Sequence, residues 1–307
     1  MARLFGFSNE LWDPSHRFQT SWLVSPYVLA AIRLLISLYA FTTLLFNIGY
    51  ACAHAPTGCA SARSNFSYFT VLSYWGLAFY FLISAFHTIL YARRGYAPLD
   101  NWPRALKFLH SLFYASITTF PLLVVIVFWA LLSSPSTLAT EYSTWSNISQ
   151  HALNSAFALF EIVVPRTRPT PWNRLPFLIL LLALYLALAY LTHATKGFYP
   201  YPFLDPGLQG PLVAAYVFGI AVGICVIFGV VWGLIWVRRW ITENKMGRDG
   251  VFAHAANGNG GGRGGDEEDA SGAGGGGMRR SWYGKGMNGR ASGAGQTHGM
   301  TEVNPAV

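Results

Sequence analysis

The chain has 307 residues, 53% of them hydrophobic, 16% aromatic and 11% charged, with a formal net charge of +8 and a mean hydropathy of +0.35. That hydropathy is high for a soluble domain and ordinary for a protein that crosses a membrane several times. The basic excess sits in loops beside apolar runs, where it sets orientation, so nucleic acid is not an expected partner.

Residues 1–22 are a polar N-terminal segment containing Asp13, His16 and Arg17. No cleavable leader is expected, because the first apolar run is too long for the core of a signal peptide. Six apolar runs follow, over residues 23–50, 66–91, 105–132, 148–164, 175–191 and 212–236. A hydrocarbon layer of about 30 Å needs roughly 20 helical residues; the fourth and fifth runs are near the short end of that range. Residues 23–241 therefore read as an all-α, polytopic membrane domain, a bundle of six transmembrane helices. Residues 242–307 are rich in glycine, as in 257–265 and 272–277. Such a composition cannot bury enough apolar surface to offset its ordering entropy, so a disordered cytoplasmic tail is expected there.

Basic residues alternate between connections. Arg93, Arg94, Arg104 and Lys107 flank the second, Arg166, Arg168 and Arg174 fill the fourth, and Arg238, Arg239, Lys245 and Arg248 follow the sixth run. The other connections carry Arg63, Lys196 and, in residues 133–147, no basic residue. The positive-inside rule then places both termini in the cytoplasm. The membrane is expected to be the endoplasmic reticulum or another endomembrane, with the plasma membrane as the alternative. Cys52 and Cys59 fall in the first lumenal connection, where a disulfide and two free thiols are both open readings; Cys225 reads as a packing residue. The sequons at Asn65 and Asn147 abut helices and read as chance matches. No cysteine–histidine zinc spacing occurs, and no metal or cofactor is expected.

Polar residues inside apolar runs need an explanation. His151, Asn154, Ser155, Ala158 and Glu161 fall at helical spacing and form one polar stripe on the fourth run. A stripe of this kind faces the bundle interior, either as a functional site or as an interhelical hydrogen-bond network. Thr70 lies one turn inside the second run, where a threonine usually bonds back to its own helix. His193 closes the fifth run, ahead of an aromatic, proline-rich loop over residues 199–206 that is placed to cover a lipid entrance. In the inferred topology Thr70, His151 and His193 share one depth at the lumenal ends of their helices. A threonine hydroxyl needs a base to become a nucleophile, and a neutral imidazole can serve. The pair suits attack on an ester whose acyl chains remain in the bilayer. Neither a GxSxG nucleophile elbow nor an HExxH zinc helix is present.

These residues carry a resemblance. The block His193-Ala-Thr-Lys-Gly-Phe-Tyr-Pro-Tyr-Pro-Phe-Leu204 is similar to the His-x-Thr-Gly-x-Trp-x-Tyr-Pro-Phe-Leu block of the androgen-induced-gene family, which includes the androgen-dependent TFPI-regulating protein. Residues 65–81 resemble that family's threonine-bearing helix and residues 151–161 its histidine-bearing helix. The resemblance implies a membrane hydrolase of fatty acid esters of hydroxy fatty acids, with Thr70 as nucleophile, His151 as base, and Asn154, Glu161 and His193 around the substrate. The implied partner is a membrane lipid or lipid ester. The family's two histidines stand three apart, and here the second is Asn154 when His151 is the first; aligning His151 with the second instead also matches Glu161. The His-x-x-Asn spacing is shared with the related, rolling-stone-like branch, for which the expectation is a non-catalytic membrane protein. A third reading takes His87 with His110, and His151 with His193, as axial ligand pairs of a b561-like diheme carrier.

Overall fold

The computed structural model describes residue 13 and residues 15–252. Among these the regular structure is helical: α1 (Pro26–His54), α2 (Cys59–Ser64), α3 (Phe69–Arg94), α4 (Arg104–Val127), α5 (Glu141–Ile148), α6 (Asn154–Val163), α7 (Leu175–Lys196), α8 (Pro206–Gln209) and α9 (Leu212–Arg239). Short π-helical stretches extend α4 through Phe128–Leu132, join α5 to α6 through Ser149–Leu153, and extend α9 through Trp240–Lys245. Five helices are long and apolar enough to cross a membrane: Pro26–His54, Phe69–Arg94, Arg104–Leu132, Trp172–Lys196 and Leu212–Lys245. The protein is a multi-pass integral membrane protein.

Local chemistry sets the helix ends. Ser25 caps α1 by accepting from the Val28 amide, with Pro26 in the first turn, where its missing N–H costs nothing. α3 and α7 stop at Gly95 and Gly197, which take left-handed conformations at φ 77° and 76° and return their N–H groups to Tyr91 and His193. Disulfide-bonded Cys52 and Cys59 close the turn between α1 and α2.

The bundle buries an apolar core together with many polar groups, and it also exposes large apolar side chains. Tyr74, Leu77, Tyr80 and Phe81 of α3 are fully buried against Ala40, Tyr114, Ile162 and Ile224 of neighbouring helices. Leu34, Leu35, Leu38 and Leu45 of α1 and Phe218, Val222, Val226 and Val230 of α9 are exposed. That outward face matches a hydrocarbon solvent, which satisfies no polar group.

The fourth apolar run differs from its sequence reading at one end. Residues 133–147 are not simply a connection: α5 begins at Glu141, capped by Thr140, so the helical path covers 141–163. It runs the length of the bundle. At one end the Tyr142 hydroxyl donates to Asn47 at 3.1 Å and its ring stacks on Tyr50 at 3.6 Å. At the other, Ser21 donates to the Val164 carbonyl at 2.7 Å and Trp22 to the Val163 carbonyl at 2.8 Å. The Asn147 side chain donates to the Ser143 carbonyl within this helix and to the Thr137 carbonyl in the turn before it.

The helical path also continues beyond residue 241. Thr242 is buried, and after Lys245 the chain turns back so that the Val251 amide donates to the Ser21 carbonyl at 2.9 Å. The start of the expected tail is thus tied to the bundle at Thr242 and Val251, although most residues of 244–252 are exposed. The glycine-rich stretches expected to be disordered lie outside the described residues.

Candidate functional site

A cavity of about 180 Å³ opens between α3, α4, α7 and α9. Its walls are almost wholly apolar, with Val124, Phe128, Leu182, Leu186, Phe203 and Ile220 among them. Among the described residues, Thr70, Tyr185 and Tyr201 are the hydroxyl-bearing ones that line it. An apolar chamber with a few convergent polar groups is the usual form of a small-molecule site.

Thr70 is buried in the first turn of α3. A first-turn amide has no partner within its helix; the Thr70 N–H donates instead to the Tyr201 hydroxyl at 3.4 Å. Tyr201 comes from the loop between α7 and α8, and its ring packs on Phe203 and Tyr68. Burial pushes the Tyr201 phenol up, which keeps the hydroxyl protonated and able to donate. Tyr185 of α7 ties the same end together by donating to the Ser67 carbonyl at 3.0 Å.

His151 lies in the π-helical turn between α5 and α6 and is buried. Its ring stacks on chamber-lining Phe128, centroids 3.6 Å apart and planes 15° from parallel. Nδ1 stands 3.0 Å from the Asn147 carbonyl. A carbonyl only accepts, so Nδ1 carries the proton and Nε2 keeps its lone pair. A single π turn inside a longer helix re-aims side chains and is common at functional sites. No hydrogen bond joins Thr70 to His151; Thr70 and the Phe128 ring that stacks on His151 line the same chamber.

The other expected site residues are placed elsewhere. Asn154 is fully buried, donating to the Gln150 carbonyl at 3.2 Å, with its Oδ1 unpartnered. Glu161 does not face the chamber. It forms a buried ion pair with Arg33 and accepts from the Tyr80 hydroxyl at 2.9 Å. Arg33 completes that knot by donating to the Phe18 carbonyl at 2.8 Å and to Thr88 at 2.7 Å. His193 is exposed, stacked on Tyr199 at 4.0 Å, and does not line the chamber. The second ligand pair of the diheme reading is therefore not assembled, since His151 and His193 pack on different partners. His87 and His110 are ring neighbours, 6.0 Å between centroids. Among the described residues no group of three or more His, Cys, Asp or Glu side chains could hold a metal ion.

Arg33 escaped the sequence reading, although a guanidinium inside run 23–50 was a signal as sharp as Glu161. Tyr185 and Tyr201 were likewise not singled out, because tyrosine is common at membrane interfaces.

Together, the lipid-facing helices and the apolar chamber between them define a multi-pass membrane protein with an internal cavity. The chain belongs to the FAR-17a/AIG1-like protein family, whose model matches residues 32–233. That span begins within α1, ends within α9, and includes Thr70, His151 and His193. No curated protein and no solved structure matches the chain.

Proposed function

We propose that the protein hydrolyses lipid esters inside the membrane, with Thr70 as nucleophile and His151 as general base. The observation that carries this reading is the placement of Thr70 on the wall of an apolar chamber whose Phe128 stacks on His151. The chamber accepts an acyl chain. Nε2 of His151 takes the Thr70 proton as the hydroxyl oxygen attacks the ester carbonyl. In this reading the Tyr201 hydroxyl serves as donor to the developing oxyanion, aided by the positive end of the α3 helix dipole. The protonated imidazole then gives its proton to the departing alcohol. Water, activated by the same nitrogen, releases the fatty acid from the acyl-threonine. Catalytic contacts that are loose in a resting enzyme tighten around substrate. Fatty acid esters of hydroxy fatty acids are the substrate class implied by the resemblance of residues 65–81 and 151–161.

In this reading the path 141–163 is the sixth crossing, made tolerable in lipid by the Arg33–Glu161 pair, and both termini are cytoplasmic. The Cys52–Cys59 disulfide then lies on the oxidising side, where disulfides persist, and the arginine-rich connections lie opposite. The compartment is the endoplasmic reticulum or another endomembrane.

A second reading, a non-catalytic membrane protein of rolling-stone type, draws on the missing Thr70–His151 hydrogen bond and on Asn154 three residues after His151. Hydrolysis of a branched fatty acid ester by purified, lipid-reconstituted protein separates the two. The hydrolase reading expects turnover that Thr70→Ala and His151→Ala each abolish at normal expression, with the double variant no worse than either single one. Turnover that survives His151→Ala contradicts it.

A further inference from the structure

The end of the bundle remote from the chamber buries three arginines from three separate segments. Arg17, Arg166 and Arg238 are 4%, 4% and 7% exposed. They are neighbours: Arg17 reaches the Arg166 carbonyl at 3.4 Å, and Arg238 donates to the carbonyl and hydroxyl of Thr167. Buried guanidiniums are costly unless paired, and the pairing here is incomplete.

Glu243 neutralises Arg17 through two hydrogen bonds, at 2.6 and 3.2 Å, and is shared with Arg239 at 3.2 Å. Asp13 is engaged by the Phe18 amide at 3.1 Å. Asp249 reaches Arg166 only through space. Neither Arg166 nor Arg238 has a carboxylate within ion-pairing distance among the described residues. Three of their donor nitrogens, Nε of Arg166 and Nε and Nη1 of Arg238, are buried with no acceptor. Two fixed positive charges with unused forked donors are the complement of a dianionic oxyanion, and guanidinium geometry suits phosphate in particular.

A short segment lies against Arg166. Residues 246–252 fold back across Arg166. Gly250 sits so close that a Cβ there would stand 2.5 Å from the Arg166 side chain, and its φ of +113° favours glycine. The Phe252 ring lies 5.1 Å from the guanidinium carbon. The strap is fastened by the Val251–Ser21 backbone hydrogen bond. The Arg248 amide also donates to the Thr242 carbonyl at 2.9 Å, and no residue of 247–252 belongs to a helix. Arg17 and Arg238 lie outside the residues that the family model matches.

We propose that Arg166 and Arg238, with Arg17 beside them and the 246–252 strap as cover, form a binding site for a phosphate monoester. Phosphatidic acid and soluble inorganic phosphate are the two sources of that chemistry. Arg238 lies near the C-terminal end of the candidate span Leu212–Lys245 and Arg166 just ahead of the span Trp172–Lys196, positions at which a lipid headgroup is a natural source. The site is independent of the chamber and of its chemistry.

The test uses the full chain in nanodiscs of neutral phosphatidylcholine. Its melting midpoint is compared with that in discs containing phosphatidic acid or phosphatidylserine at equal lipid charge, and in neutral discs with inorganic phosphate or chloride at equal ionic strength. Phosphatidic acid or inorganic phosphate should raise the midpoint by about 5 °C at saturation, while phosphatidylserine and chloride should not. A rise with inorganic phosphate assigns the soluble source; a rise with phosphatidic acid alone assigns the lipid. Arg166→Gln and Arg238→Gln should each remove the rise, and Arg168→Gln, which alters an exposed arginine, should keep it. Native mass spectrometry of the unaltered chain titrated with phosphatidic acid and with inorganic phosphate gives a reading that does not depend on the variants folding. Absence of both a midpoint shift and a bound phosphate species overturns the proposal. So does a shift that persists in Arg166→Gln. A midpoint that ignores phosphate but falls when Asp266, Glu267, Glu268 and Asp269 are neutralised also overturns it, since the chain's own carboxylates would then be the occupant.

Discussion

Arg33 of α1 and Glu161 of α6 clasp each other in the bundle interior through two hydrogen bonds, with side chains 1% and 0% exposed. Tyr80 of α3 donates to the same carboxylate, so three helices meet at one ion pair. Glu161 thereby holds the path 141–163 against the bundle and takes no part in lining the chamber.

Removing one member of a buried pair strands the other, at a cost of about 3–5 kcal/mol. Arg33→Ala and Glu161→Ala should each lower the midpoint or the folded yield sharply. The combination Arg33→Met with Glu161→Leu should be milder than either, because no charge is left alone. Detergent-solubilised thermal melts check this. In the protein that does fold, turnover should persist with Glu161→Ala; a folded but inactive variant would put Glu161 back at the substrate.

Tyr201→Phe removes one hydroxyl beside Thr70 and little else. If that hydroxyl stabilises the oxyanion, kcat should fall by about 10²-fold with KM nearly unchanged. Steady-state kinetics on a soluble short-chain ester measure the split. A change confined to KM would make Tyr201 a wall residue only.

If the chamber takes the acyl chain, its width sets which chains enter. Ala183 lines it from α7, and Ala183→Phe fills part of the space. Turnover of long-chain esters should drop at least tenfold relative to short-chain ones, in line with the 1–3 kcal/mol that pocket shape typically commands. Equal losses for all chain lengths would mean that the acyl group binds elsewhere.

The helical architecture was legible because lipid imposes one simple rule: about 20 apolar residues per crossing, with basic residues on one side. The rule worked least well at 141–163. There the helix begins in a polar stretch, Glu141 to Gln150, whose groups are satisfied by neighbours that no window of hydropathy can see. Asn147, for example, is engaged by carbonyls of Thr137 and Ser143. The tail boundary ran long for a similar reason. Residues 242–252 lack an apolar pattern, yet Thr242 is buried and Val251 pairs with Ser21. At the candidate site, Thr70 and His151 could be singled out from residue type and depth. Their surroundings could not: Phe128 beneath His151 and Tyr201 beside Thr70 come from distant segments. Shared depth was also a weak guide for His193, because depth fixes height in the membrane and says nothing about which way a side chain faces.

The most direct measurement is covalent. A lipophilic fluorophosphonate attacked by an activated hydroxyl loses fluoride and leaves a stable phosphonyl ester on the oxygen. Peptide mapping of the labelled, lipid-embedded protein should find that adduct on Thr70. The adduct should be absent from His151→Ala, whose Thr70 has no base. Labelling of Thr70 that is undiminished in His151→Ala, or no labelling of Thr70 under conditions where the ester is hydrolysed, would contradict the pairing of these two residues.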